Sequence, residues 1–317
     1  MNKVLATIKY VIKNASYVKI NERELDKFCL NIKKEDINPT AWKTETFYDQ
    51  GSFEEKINYI FVFNTLNFCF WNDKRWKAKY KKKWYEGHAA LFASLTRALE
   101  EKIPILNLDY LENLTTQKLK YILRGKNKIP LFNERLKIIK GNASILKNKF
   151  NGNFLNLIKK SKFDCIKIVD LLNKYFPSFN DKEDYRGKEI YFNKRAQLLA
   201  KYSYELFKEL KKGKLKNYSQ LTAGGEYKIP YCLRYFKILE YSPELAYKID
   251  NKIEIESGSE EEIEIRAFAI YAIEKIKEKL NERGFNIVSP EVHTFIWYKA
   301  RYLPKTEQHH RTLTIWY

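Results

Sequence analysis

From position 265 to 280 the chain places Ile265, Phe268, Ala269, Ala272, Ile273, Ile276 and Leu280 at spacings of three and four. Only a helix gathers such residues on one face, because a strand's side chains alternate with period two. The same period runs through Val4, Leu5, Ile8, Val11, Ile12 and Ala15, through Leu91, Phe92, Leu95, Ala98, Leu99 and Ile103, and through Leu199, Tyr202, Leu206 and Leu210. Several long amphipathic helices must therefore bury their apolar faces against one another, and a mainly α fold follows. End signals agree with the period. Ser259 and Glu262 have capping-box spacing, Ser242 precedes Pro243 as a cap precedes an N1 proline, and Gly125 and Gly141 are expected as C′ residues. Trp76 to Tyr85 departs from this pattern: large or apolar residues alternate with lysine at its start, which predicts a small β-hairpin.

At 317 residues and 44% hydrophobic content the chain can form one compact domain (1–317) or two merged helical subdomains. No Gly/Ser- or Pro-rich linker divides it, and the Lys/Asn-rich stretch 147–162 is the expected seam. Lysine and arginine exceed aspartate and glutamate by 59 − 39 = 20. That field draws nucleotides, nucleic acid or other anions, although interleaved Lys and Glu also suit solvated helix faces. Cys29, Cys69, Cys165 and Cys232 form no CxxC, and His88, His293, His309 and His310 supply no zinc spacing, so no metal site is expected. The apolar run 57–71 is broken by Asn58, Asn64 and Asn67 and falls short of the ~20 residues needed to cross a bilayer. Lys9 and Lys13 interrupt the N-terminal apolar residues, unlike a secretory signal. A cytoplasmic protein without membrane attachment is the expectation.

Four stretches carry residues able to do chemistry. Lys79 to Tyr85 reads as a nucleic-acid footprint, in which cations meet phosphates and aromatics meet bases, or as a solvated hairpin face with its aromatics turned inward. Lys194 and Arg195 open a helix after the turn Tyr185–Lys188, and cations there invite a phosphate or carboxylate unless they simply point into water. Glu226 follows Gly224 and Gly225, whose missing side chains permit unusual backbone angles and close approach. A fixed carboxylate there can activate water or stabilise a cation, while the plain alternative is an exposed loop residue. At the end, His309 to Tyr317 alternates and finishes aromatic, so it should dock into the body with its two histidines facing opposite ways.

The segments NTLNFCFW (64–71), ALFASLTRALEEKIPI (90–105), GNFLNLI (152–158), FPSFND (176–181), YFNKRAQLL (191–199), LTAGGEYKIP (221–230), LEYSPEL (239–245), EIEIRA (262–267) and HHRTLTIWY (309–317) occur in an order and spacing that resembles the queuosine salvage protein family, the queuosine 5′-phosphate N-glycosylase/hydrolases, over nearly the whole chain. The resemblance implies a fold similar to helical DNA glycosylases with a small β element. It also implies release of the 7-deazaguanine base queuine from a nucleoside 5′-monophosphate, without metal or redox cofactor and with no stable protein partner. The family's catalytic aspartate, in A-D-Y-R-x-P, falls on Glu226, and the phosphate-contacting lysine of F-Y-K-R-A-Q falls on Lys194. Asn64, Asn67, Phe68, Tyr227 and Trp297 fall in pocket-lining segments and are the expected substrate contacts.

This chain departs from the family pattern at several of these positions. It has Glu226 for aspartate, Gly224 and Gly225 for an aromatic and an alanine, Asn64 where the family's V-D-T-L-N-F carries aspartate, and Ile296-Trp297-Tyr298 for L-W-D. The catalytic carboxylate is thus longer by a methylene, ~1 Å, a shift that matters for reacting groups. A nucleic-acid binder or DNA base-excision glycosylase using the same architecture is the competing reading, which the +20 charge suits. A non-catalytic nucleotide binder is the third.

Overall fold

The computed structural model describes residues 2–37, 43–304 and 308–317. Helices carry the architecture: 14 α-helices and three two-stranded antiparallel ribbons lie among the described residues. The predicted amphipathic segments form helices Lys3–Asn14, Gly87–Glu100, Lys194–Glu209 and Glu260–Glu282.

Buried side chains divide into two apolar clusters. The first surrounds helix Phe53–Leu66, which beyond its exposed first turn at Glu54 and Glu55 is buried at every position from Tyr59 to Leu66. Phe63 stacks on Phe92 of helix Gly87–Glu100, with ring centroids 3.6 Å apart. Residues from 147–162, including Phe150, Phe154, Leu157 and Ile158, belong to this cluster, which runs to Leu221. The second cluster joins helices Lys3–Asn14 and Glu22–Leu30 to the segment from Ala223 to Ala300. Inside it the Glu264 carboxylate accepts from the backbone N–H groups of Ser16, Tyr17 and Val18 and from the Tyr185 hydroxyl. A buried carboxylate with that many donors is compensated, and it anchors strand Val18–Ile20 against strand Leu239–Tyr241.

The predicted hairpin is present as strands Lys77–Tyr80 and Lys83–Glu86. A second hairpin pairs Lys182–Tyr185 with Lys188–Tyr191. Its turn residues Arg186 and Gly187 both have positive φ, 52° and 77°, the signature of a two-residue turn that matches strand twist. Ser242 caps helix Pro243–Asp250 as expected.

Three end signals need correction. Helix Thr116–Ile122 ends with Leu123 as its C-cap, so Gly125 lies one residue past C′ and without a positive φ; its missing side chain admits the Lys77 backbone instead. Gly141 lies inside helix Phe132–Phe150 rather than after a helix; Ile139, Asn142, Ala143 and Leu146 continue the buried face past it and outweigh a glycine cost of ~1 kcal/mol. Ser259 does accept from the Glu262 N–H, but the Glu262 carboxylate turns inward toward Arg266 instead of closing a capping box. The C-terminal segment docks as expected without forming a strand. Arg311 bridges to Glu254 and pairs with Asp73 at 2.8 Å, the Thr312 carbonyl accepts from Trp71 Nε1 at 2.9 Å, Trp316 Nε1 donates to Glu183 at 2.9 Å, and the Tyr317 carbonyl accepts from Cys69 N–H at 2.6 Å.

Candidate active site

Residues 221–226 are all buried, although no helix or strand holds them. Side chains and close backbone contacts hold them instead. Thr222 N–H donates to Gln197 Oε1, and Gln197 Nε2 donates to Thr222 Oγ1, each at 2.8 Å. A Cβ on Gly224 would fall 2.8 Å from Lys194 Cγ, and one on Gly225 would fall 2.9 Å from Arg266 Cβ and 3.0 Å from its carbonyl oxygen. The glycines therefore serve close approach. Neither has a positive φ, so the expectation of unusual backbone angles does not hold.

The loop delivers Glu226 to a buried position, only 8% exposed, rather than to solvent. Lys194 Nζ lies 3.7 Å from one carboxylate oxygen, and His293 Nε2 lies 3.9 Å from the other. Burial alone would favour the neutral acid, but the nearby positive charge, that of Lys194 above all, outweighs burial and holds the carboxyl down at about 2. Glu226 is thus a buried carboxylate held in its ionised form. Burial drives the pKa of Lys194 down, against the pull of Glu226, and drives that of His293 down, so the imidazole is neutral near pH 7.

Lys194 and Arg195 both point inward, against the solvated alternative, at 5% and 1% exposed. The Asp181 carboxylate supplies the negative charge that their helix start requires, accepting Lys194 N–H at 3.0 Å. Arg266 Nη2 binds both oxygens of that carboxylate at 2.9 and 2.7 Å, and Arg266 Nε donates to the Gly225 carbonyl at 3.1 Å. One guanidinium therefore ties the helix start bearing Lys194 to the loop bearing Glu226.

Glu226, Lys194 and His293 lie at the wall of a cavity of about 680 Å³, lined from both apolar clusters. Five of the predicted site residues meet there: Asn67, Lys194, Glu226, Tyr227 and Trp297. Asn64 and Phe68 do not line it. The Asn64 amide donates to Ile60 O within its own helix, and the Phe68 ring is held between the guanidinium groups of Arg135 and Arg195, 4.2 and 4.9 Å from its centroid. Both arginines serve the C-terminal end of helix Phe53–Leu66. Arg195 donates to the carbonyls of Asn64 and Thr65, and Arg135 to those of Leu66, Phe68 and Cys69. Capping orphan carbonyls with buried cations keeps this segment structural except at Asn67.

Sequence reasoning did not pick out His88, Lys201, His293 or Thr294 as lining residues, while Tyr298, noted as a departure from the family's L-W-D, also lines the cavity. His88 packs edge-on to Trp297 at 4.6 Å, and burial, reinforced by Arg301, drives its imidazole down to about 3. Lys201 is two helical turns from Lys194, a spacing visible in the sequence; burial lowers it to about 8, and it donates to Pro290 O at 3.0 Å and to Thr294. His309 lies 4.8 Å from the Tyr227 ring and faces the cavity, whereas His310 turns away to Tyr317. On the hairpin, Trp76 and Tyr80 are buried as the structural alternative requires, but Trp84 and Tyr85 line the cavity. No cluster of three or more His, Cys, Asp or Glu able to hold a metal occurs among the described residues. Nor is any helix among them long and apolar enough to cross a membrane.

Residues 46–317 match the family model described as queuosine salvage protein. The chain is 35% identical over 315 residues to the queuosine 5′-phosphate N-glycosylase/hydrolase of Sphaerobacter thermophilus, an alignment covering 99% of this chain and 97% of that one. It is 33% identical over 327 residues to the protein of the same name from Dictyostelium discoideum, covering 99% and 98%. A third protein of that name, from Schizosaccharomyces pombe, is 26% identical over 332 residues, covering 97% and 95%.

Proposed function

The chain belongs to the queuosine salvage protein family, and from that premise we propose that it hydrolyses the N-glycosidic bond of queuosine 5′-phosphate or a closely related 7-deazaguanine nucleotide, freeing the base. One observation carries the assignment of chemistry: the Glu226 carboxylate is buried at the wall of a nucleotide-sized cavity, 3.7 Å from the ammonium of Lys194.

Cleavage of the bond leaves positive charge on the sugar, and a carboxylate held in a low-dielectric wall stabilises that charge far more than one in water. Glu226 either takes a proton from the attacking water or captures the sugar carbon directly. A 7-deaza base has no N7 to protonate as it leaves. Its departure depends on burial and on donors along its edge, which the aromatic and polar walls around Asn67, Tyr227 and Trp297 are suited to provide. Lys194 is assigned the 5′-phosphate, where binding energy remote from the broken bond helps to orient the sugar. The cavity's cations also suit a nucleic-acid strand, but the family relationship favours the mononucleotide. A cytoplasmic location and independence of a protein partner complete the proposal.

Glu226→Gln tests it. The variant keeps the shape but not the charge, and should bind queuosine 5′-phosphate while releasing base about 10³-fold more slowly, as mass spectrometry of the free base would read. Full turnover by Glu226→Gln would remove the carboxylate from the reaction. Base release from a duplex oligonucleotide instead of the mononucleotide would favour the DNA-glycosylase reading.

A further inference from the structure

We propose that His293 is a second catalytic residue, which holds the attacking water jointly with Glu226; the inference rests on the hydrolase reading above. His293 Nε2 and Glu226 Oε1 are 3.9 Å apart. That exceeds the ~2.7–3.2 Å of a direct hydrogen bond. Both atoms are buried, and neither has a hydrogen-bond partner among the described residues. Both residues line the large cavity and are 8% exposed. Two orphaned polar atoms side by side in a cavity wall are costly unless the working enzyme places something between them.

The spacing says what fits. An oxygen ~2.8 Å from each atom sees them ~90° apart, close to the angle between the two O–H bonds of water. Such a water gives one hydrogen to the carboxylate and the other to the imidazole, which accepts in the tautomer protonated on Nδ1. Its lone pairs then face away from the wall, toward a sugar carbon bound in the cavity. The two acceptors come from separately fixed elements. His293 is on helix Ser289–Tyr302, and Glu226 is on the loop that Arg266 pins at Gly225.

In the reaction the C1′–N bond breaks, and its electron pair leaves on the base nitrogen. The water oxygen forms the C1′–O bond and loses one proton to Glu226. The departing base takes up one proton, which restores the Glu226 carboxylate, so the products are ribose 5-phosphate and neutral base. His293 exchanges no net proton; it fixes the orientation of the nucleophile.

The test compares wild type, His293→Phe and His293→Gln with queuosine 5′-phosphate in water and in water–methanol mixtures. Loss of the second acceptor in His293→Phe should lower kcat roughly 10²-fold with KM little changed, and His293→Gln, which keeps an acceptor, should recover part of the loss. Methanol has one hydroxyl hydrogen and cannot satisfy both acceptors. Wild type should therefore discriminate against methyl riboside 5-phosphate formation, His293→Phe should discriminate less, and His293→Gln should fall between the two. Wild-type kcat in His293→Phe, or a lowered kcat with the wild-type methanol-to-water product ratio in that variant, would overturn the inference and leave His293 a packing residue. Should His293→Phe fail to fold, His293→Leu, which also lacks the acceptor, is read in the same way. A wild-type protein that releases no base would instead sink the hydrolase reading itself.

Discussion

Replacing Arg266 with methionine removes a single cation on which two halves of the candidate site depend. The side chain is fully buried, binds both oxygens of Asp181, donates to Gly225 O and lies 3.5 Å from Glu262. Methionine fills much of the same space, so the loss is mainly electrostatic: two buried carboxylates lose their counterion. Removing one partner of a buried pair costs ~3–5 kcal/mol. At ~2–3 °C per kcal/mol for a chain of this size, the melting temperature should fall by roughly 6–15 °C. The companion variants are Asp181→Asn and the double mutant Asp181→Asn/Arg266→Met. Because the charges balance each other, the double mutant should be more stable than the sum of single effects predicts, by ~1–3 kcal/mol. Thermal melts of the four proteins, with single-turnover base release alongside, read both consequences, and the variants that free Gly225 should also lose rate. A melting temperature for Arg266→Met within ~2 °C of wild type, or strict additivity in the cycle, would refute the coupling.

Two further outcomes follow from the same region. Burial raises Glu262 from 4.5 to about 7 against the pull of Arg266, so the folded protein holds a proton there that the unfolded chain has released between those values. Its contribution to stability therefore declines as pH rises from 4.5 to about 7, and Glu262→Gln should flatten that part of a melting-temperature profile relative to wild type. Gly224→Ala would put a methyl group 2.8 Å from Lys194 Cγ, displacing the ammonium from Glu226; kcat/KM should fall about tenfold, and unchanged kinetics would mean that the loop yields instead.

The four helices Lys3–Asn14, Gly87–Glu100, Lys194–Glu209 and Glu260–Glu282 were legible because each carries enough apolar repeats to outvote its exceptions. Gly141 shows the same rule in reverse, since a single glycine cannot end a helix whose buried face continues on both sides. The hairpin and the opposed directions of His309 and His310 were legible from alternation alone. Glu226 was recognisable only by resemblance. Its local sequence describes a loop, and its burial depends on Lys194 and Arg266, which are distant along the chain. His293 had no signal at all: it sits in an ordinary helical stretch, and only the folded chain brings it beside Glu226. Asn64 and Phe68 lie off the cavity wall for a related reason. Their segment adjoins the cavity at Asn67, but two arginines from other helices claim its carbonyls and the Phe68 ring.

The second apolar cluster sets the order in which the chain can be completed during translation. Helix Lys3–Asn14 is made first, yet its buried face at Val4, Ile8 and Val11 packs against helix Glu260–Glu282, ~250 residues later. At ~5–20 residues per second the ribosome needs on the order of 10–50 s to make that partner. The first cluster, from Phe47 to Leu221, can close in the meantime, since all of its residues emerge earlier. Until helix Glu260–Glu282 has been made, helix Lys3–Asn14 has strand Lys188–Tyr191 to pack on but lacks its helical partner. Chaperone binding and aggregation during overproduction should therefore concentrate at helices Lys3–Asn14 and Glu22–Leu30.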